Sequence, residues 1–227
     1  MARRDRAFTL VELLIVISII GVLMGILLPA VSRAREQAKV VTVNAELRQI
    51  GLCLDMYMQA NQGKHPPTRQ DCAMGWEDHQ LPPELVEGGY LPRPAEGSGM
   101  SVGIEDRYNR SNTYKYWAVG ELYQNGSYAP GKRARLYMPE GFPEWNGPPE
   151  EDLYYDTPKT SPVSWVIYSQ GPNCDPWDLI KVQHGPAPQR CWYQPHRRQG
   201  LIVRMRLKHG RHIGSFQGRN KSPQPLQ

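Results

Sequence analysis

Hydrophobic residues follow three regimes along this chain. From Phe8 to Leu28 they are nearly unbroken, interrupted by Thr9, Glu12, Ser18, Gly21 and Gly25. Such a run, at about 1.5 Å per residue, reaches about 31 Å, the thickness of a bilayer's hydrocarbon core, so it predicts one membrane-length helix. Beyond Pro29 the pattern becomes periodic. Val40, Val43, Leu47, Ile50, Leu54 and Tyr57 recur at alternating steps of three and four, with Arg35, Glu36, Lys39, Glu46 and Arg48 off the stripe. That is the signature of an amphipathic helix laid on a core. Asn61, Gly63 and Pro66-Pro67 supply its stop, which predicts one helix over 8–62, about 80 Å long if unbroken.

The third regime is strand-like. Tyr114–Val119, Arg135–Met138 and Ser164–Ser169 are short apolar or aromatic runs, the last ended by the turn residues Gln170-Gly171-Pro172-Asn173. Leu201–Lys208 alternates, with Leu201, Val203, Met205 and Leu207 on one face and Ile202, Arg204, Arg206 and Lys208 on the other. Glu144–Asp156, acidic and proline-containing, reads as a solvated loop. The expectation is an α+β fold, a long amino-terminal helix packed on an antiparallel sheet of three to five strands.

Composition sharpens this picture. Glycine and proline contribute 21 residues each, about 18% together against a usual 12%, which suits a turn-rich head rather than a helical bundle. A mean hydropathy of -0.58 excludes a polytopic membrane protein. The net charge of +5 conceals an asymmetry: no acidic residue follows Asp178, whereas ten basic ones do, leaving the remainder at about -5. Arg3, Arg4 and Arg6 precede the apolar run, which favours a cytoplasmic amino terminus.

A plain signal anchor, a secretory signal with a weak site at Ala30-Val31-Ser32, and a twin-arginine signal at Arg3-Arg4 are the ordinary readings of this end. Glu12 argues against all three, because a carboxylate within a spanning segment costs about 2.5–3.5 kcal/mol and is retained to meet a partner. Ala7-Phe8-Thr9-Leu10-Val11-Glu12 and the helix after it resemble the amino-terminal signal of type IV pilins and type II secretion pseudopilins. The resemblance extends to Leu47–Pro67 and, in the following loop, Leu81–Pro92. It implies that a prepilin peptidase cuts between Ala7 and Phe8, that the new amino group is methylated, and that Glu12 contacts the amino terminus of a neighbouring subunit. The family usually has glycine where this chain has Ala7.

The implied organisation is a leader over 1–7, a transmembrane and filament-core helix over 8–31, an amphipathic helix over 32–62, a pilin-like head over 63–216 and a disordered tail over 217–227. The implied function is a structural subunit of a type II secretion pseudopilus or pilus-like filament. It would be a single-pass protein of the bacterial inner membrane, its head in the periplasm, with partners in its own copies, related pseudopilins and the assembly platform.

The remaining constellations carry less. The stretch Tyr168–Asn173 resembles the loop leading to a calcium site in major pseudopilins, where Asn173, Asp175 and Asp178 would offer hard oxygen ligands; an Asx turn is the competing reading. Four cysteines suit an exported head. Cys174 with Cys191 would close a hairpin-sized loop, and Cys53 with Cys72 is reachable across the reversal at Pro66-Pro67. The basic carboxyl-terminal segment interleaves Trp192, Tyr193 and Phe216 with arginines, a composition able to grip nucleic acid in a DNA-uptake pilin; the alternative is a contact surface between subunits, centred on Arg204 and Arg206. No nucleophile motif, phosphate loop or acid–base pair stands out, so no enzyme and no other cofactor is expected.

Overall fold

A computed structural model describes residues 10–70, 80–139, 142, 152–174 and 192–216. The chain divides into two compact units, Met1–Lys39 and Val40–Gln227. Helix α1 covers Leu10–Ala60 and passes through Pro29 without interruption. It ends as the spacing predicts: Asn61 Nδ2 donates to the Tyr57 carbonyl (2.8 Å), Gly63 N to that of Met58 (2.7 Å), and Gln62 and Gly63 take positive φ.

In the larger unit, β1 (Thr68–Gln70), a short α2 (Glu84–Glu87), β2 (Lys115–Ala118), β3 (Gly120–Gln124), β4 (Ser127–Ala134), β5 (Leu136–Pro139), β6 (Asp152–Tyr155), β7 (Val163–Ser169), β8 (Ile202–Leu207) and β9 (His212–Gly214) follow in order. The principal sheet, β2-β7-β8-β9, is antiparallel throughout. Two smaller sheets are β1-β3-β4, whose β1–β3 pair is parallel, and β5-β6. Where a solvated loop is expected before Asp156, residues 152–155 therefore form a strand, paired with Leu136–Pro139. The β3–β4 hairpin turns at Asn125-Gly126, both at positive φ, the Asn-Gly signal of a tight reversal that the strand pattern alone passes over.

The principal sheet is buried on both faces, and successive side chains feed two cores. On one side Tyr116, Ala118, Trp165, Ile167 and Ile202 meet Val40, Val43, Leu47, Ile50, Leu54 and Met58 of α1. On the other, Trp117, Val166, Tyr168, Val203 and Met205 pack with Leu122, Leu136 and Met138. Double coverage explains why β7 reads as a nearly continuous apolar run rather than an alternation.

Candidate functional site

Residues 10–39 of α1 bury almost nothing within their own unit. Leu10, Leu13, Ile17, Leu23, Ile26 and Leu28 are each more than half exposed, as are most of the apolar residues between them. This is the only described helix long and apolar enough to cross a membrane. Apolar surface on that scale is not left to water by a lone helix, so lipid or other helices must cover it. The polar groups within it are handled locally: Ser18 Oγ donates to the Leu14 carbonyl (2.7 Å), and Glu12 sits in the first turn, where the helix macrodipole favours a negative charge. Nothing lies within 4 Å of a Cβ built at Gly21 or Gly25, so these positions leave a low surface on which another helix can approach closely. Ala7 and Phe8 lie outside the described residues.

The basic strand β8 is not arranged as a grip or as a subunit surface. Its polar face turns toward α1, where Arg204 is 7% exposed and Nε and Cδ of its side chain come within 3.3 Å of a Cβ built at Gly51. Arg206 Nε lies 3.0 Å from Asp55 Oδ1, and His212 Nε2 lies 3.0 Å from Asp55 Oδ2, ion-pair distances off the line of a hydrogen bond. Arg204 Nη2 meets His212 Nδ1 at 2.7 Å. A guanidinium can only donate, so Nδ1 accepts and His212 is neutral, its proton on the Nε2 side facing Asp55. Trp192 is fully buried and Tyr193 is 5% exposed, so neither offers a face for base stacking; Phe216 is partly exposed and packs on Tyr193 at 5.6 Å. Arg204 and Arg206 thus belong to neither a nucleic-acid grip nor a subunit surface, and Trp192 and Tyr193 are unavailable for stacking; Lys181, Arg190, Arg219 and Lys221 of the same basic segment lie outside the described residues. Arg204 and Arg206 spend their charge on Asp55 and His212, inside the molecule.

Two carboxylates that the sequence reading passed over are structural keys of the head. Glu46 accepts from Arg107 Nε (3.1 Å) and Nη2 (2.5 Å) and from the Tyr114 hydroxyl, whose pKa burial and Glu46 push upward. Asp106 is fully buried and accepts from Ser169 Oγ (2.6 Å) and the Tyr108 amide (3.0 Å). Ser169 opens the loop in which calcium ligands are expected. There Asn173 takes positive φ and its Nδ2 donates to the Arg198 carbonyl (3.3 Å); Asp175 and Asp178 lie outside the described residues. Cys53 is a buried free thiol donating to the Tyr90 carbonyl (3.2 Å), and burial raises its pKa. Cys72, within reach of it in the sequence reading, lies outside the described residues. Cys191, the expected partner of Cys174, lies outside the described residues.

Comparison with known proteins matches residues 2–28 to the prokaryotic N-terminal methylation motif. The type II secretion system core protein G of Dickeya chrysanthemi is 29% identical over 126 residues, 53% of this chain and 82% of that protein. Core protein G of Pseudomonas aeruginosa is 35% identical over 68 residues, 30% of this chain and 47% of its own length. That of Klebsiella pneumoniae is 34% identical over 96 residues, 40% of this chain and 66% of its own length. The chain thus spans about half of one of these relatives and just under two thirds of another. No solved structure is significantly similar to it.

Proposed function

We propose that the chain, which carries the N-terminal methylation motif and is similar to type II secretion system core protein G of three bacteria, is a structural subunit of a type II secretion pseudopilus. A prepilin peptidase removes residues 1–7, Phe8 becomes a methylated amino terminus, and the following helix holds the subunit in the inner membrane with its head in the periplasm. On assembly the helix leaves lipid for the filament core beside related pseudopilins. The protein acts by packing and carries out no catalysis.

The observation that carries this reading is a single carboxylate in the first turn of α1, ahead of a stretch to residue 39 whose apolar side chains are exposed. A carboxylate in hydrocarbon is unfavourable alone and becomes tolerable opposite an ammonium. In a uniformly apolar bundle helices slide at little cost, so one charge pair between successive copies fixes their axial register. The Phe8 amine of one subunit and Glu12 of the next would form that pair.

Mass spectrometry of the mature protein tests the processing step: the expected species begins at N-methylated Phe8. An intact amino terminus, or a cut near Ser32, in cells with active prepilin peptidase would overturn it. Glu12→Ala should leave membrane insertion intact or improved while reducing incorporation into sheared filaments. Incorporation at the wild-type level would contradict the role of Glu12.

A further inference from the structure

The tip of the β3–β4 hairpin carries chemistry that the assembly reading leaves unused. Gln124 pairs with Ser127, so Asn125 and Gly126 are the whole loop. Both residues are exposed, and φ values of 49° and 77° place them in the left-handed region that a two-residue reversal of this hand demands. The Asn125 amide donates to the Gln70 carbonyl at the end of β1 (2.9 Å), whereas the Gly126 amide makes no main-chain hydrogen bond among the described residues. Nothing lies within 4 Å of a Cβ built at Gly126. A carboxamide is therefore followed directly by a main-chain nitrogen that neither a side chain nor a neighbour shields.

We propose that Asn125-Gly126 deamidates spontaneously in the folded protein, with water as the only reactant. A base, hydroxide or buffer, takes the proton from Gly126 N, and that nitrogen bonds to Asn125 Cγ. The Cγ–Nδ2 bond breaks, Nδ2 leaves as ammonia with the returned proton, and a succinimide ring remains. One water then opens the ring, its hydroxyl adding to a carbonyl carbon and its hydrogen passing to the ring nitrogen. Opening at Cγ gives aspartate; opening at the Asn125 main-chain carbonyl gives isoaspartate, with the backbone routed through Cγ. Ring closure needs rotation at Asn125, and a loop beyond the last paired residues reaches such geometries by local opening at little cost.

The reaction is selective for this pair among the described residues. Asn44, Asn61, Asn109, Asn112 and Asn173 each precede a residue whose Cβ crowds the attacking nitrogen, and the nitrogen after Asn44 is also held in the hydrogen-bond ladder of α1. Either product adds a carboxylate beside the chain of hydrogen bonds from Lys132 Nζ to Gln124 Oε1 (2.9 Å) and from Gln124 Nε2 to Gln70 Oε1 (2.8 Å). Isoaspartate also lengthens the loop by one carbon, and because loop length fixes register it works against the pairing of Tyr123 with Tyr128. The hairpin shares no residue with α1, so this chemistry is independent of the filament reading.

The test incubates the full chain in a nonionic detergent, below its melting transition, at neutral and at mildly alkaline pH, and follows tryptic peptide 116–132 by mass spectrometry after digestion in mild acid. The expected result is growing conversion of amide to acid at position 125, faster at the higher pH, with part of the product accepted by protein isoaspartyl methyltransferase. Asn125→Gln should abolish conversion, and Gly126→Ala should slow it about tenfold or more, because a Cβ shields the nitrogen and disfavours positive φ. Asn146-Gly147, the other such pair in the sequence, falls in peptide 136–159 and is read separately. Absence of conversion in the intact chain would overturn the proposal, and a synthetic 116–132 peptide that converts under the same conditions would identify the folded turn as the cause. Equal rates in wild type and Gly126→Ala, or conversion spread evenly over the other described asparagines, would overturn it too. Asn125-Gly126-Ser127 also fits the acceptor pattern of an N-linked glycan; a sugar mass on Asn125 in protein taken from its native membrane would show Nδ2 to be capped and would equally overturn it. Thermal melts of wild type and variants establish that each is folded.

Discussion

Asp106 shows how one buried side chain sets a pH dependence. Desolvation pushes its carboxyl up to about 6, against the opposing pull of the Ser169 and Tyr108 hydrogen bonds and of Lys115. The folded protein therefore binds this proton more readily than the unfolded chain, so the group stabilises the fold at low pH and that contribution is lost as pH rises through about 6. A shift of about two units is worth about 3 kcal/mol. Asp106→Asn, which keeps the accepting Oδ1, should abolish this dependence: the difference in unfolding free energy between wild type and variant should change by that amount between pH 3.8 and 6. A difference constant with pH would refute the assignment. Asp55 behaves oppositely under substitution, because Asp55→Ala leaves two arginines at a half-buried interface without their counter-charge and the His212 Nε2 side without the carboxylate it faces. A loss of about 3 kcal/mol or more is expected, measured by chemical denaturation.

Between elements, α1 and the principal sheet meet across a seam that is apolar except for this charged cluster. Gly51 makes the approach possible: a Cβ there would lie 2.9 Å from Arg204 Nε and 3.1 Å from Trp165 Cη2. Alanine raises helix propensity by about 1 kcal/mol, yet overpacking against a buried indole and an arginine fixed by His212 costs about 1–3 kcal/mol. Gly51→Ala should therefore lower the melting temperature, and an increase would show that the seam relaxes freely. The same seam carries an acid sensitivity. Burial lowers the pKa of His212; Asp55 on α1 raises it, while Arg204 and Arg206 on β8 lower it further. Arg48 of α1 acts on Arg204, and Trp165 of β7 meets the imidazole edge-on at 5.3 Å. Because the folded protein resists this proton, stability contributed by His212 is present above the ordinary histidine value of about 6.5 and falls as pH drops below it. His212→Gln should remove that part of the acid destabilisation, as read from denaturation midpoints over this range.

At the scale of the whole molecule the two units have opposite solvents. Residues 10–39 expose apolar side chains that require lipid or neighbouring helices, while the larger unit closes two cores around its own sheet. On the proposed placement of the head in the periplasm, an oxidising compartment, covalent closure would add stability. Cys174 joined to Cys191 would enclose about 15 residues and contribute about 3 kcal/mol in the chain-entropy treatment. Peptide mapping without reduction should recover these two cysteines in one linked fragment; both thiols free, or a different pairing, would refute this.

The sequence by itself determined the elements whose cause is local. The apolar run and Glu12, the stripe from Val40 to Leu54, the Asn61–Gly63 stop and the alternation of β8 all follow from side-chain periodicity and backbone preference, which act over a few residues. Only the tertiary structure decided what each polar face meets. Arg204 and Arg206 read as a surface because charge on a strand is most simply solvated, and nothing within five residues of them announces Asp55, about 150 positions away. The same holds for Asp106 with Ser169 and for Glu46 with Tyr114, pairs separated by 63 and 68 residues. Periodicity states which residues share a face, while burial depends on the element that covers that face, and covering is a long-range event settled when helix and sheet exclude water together.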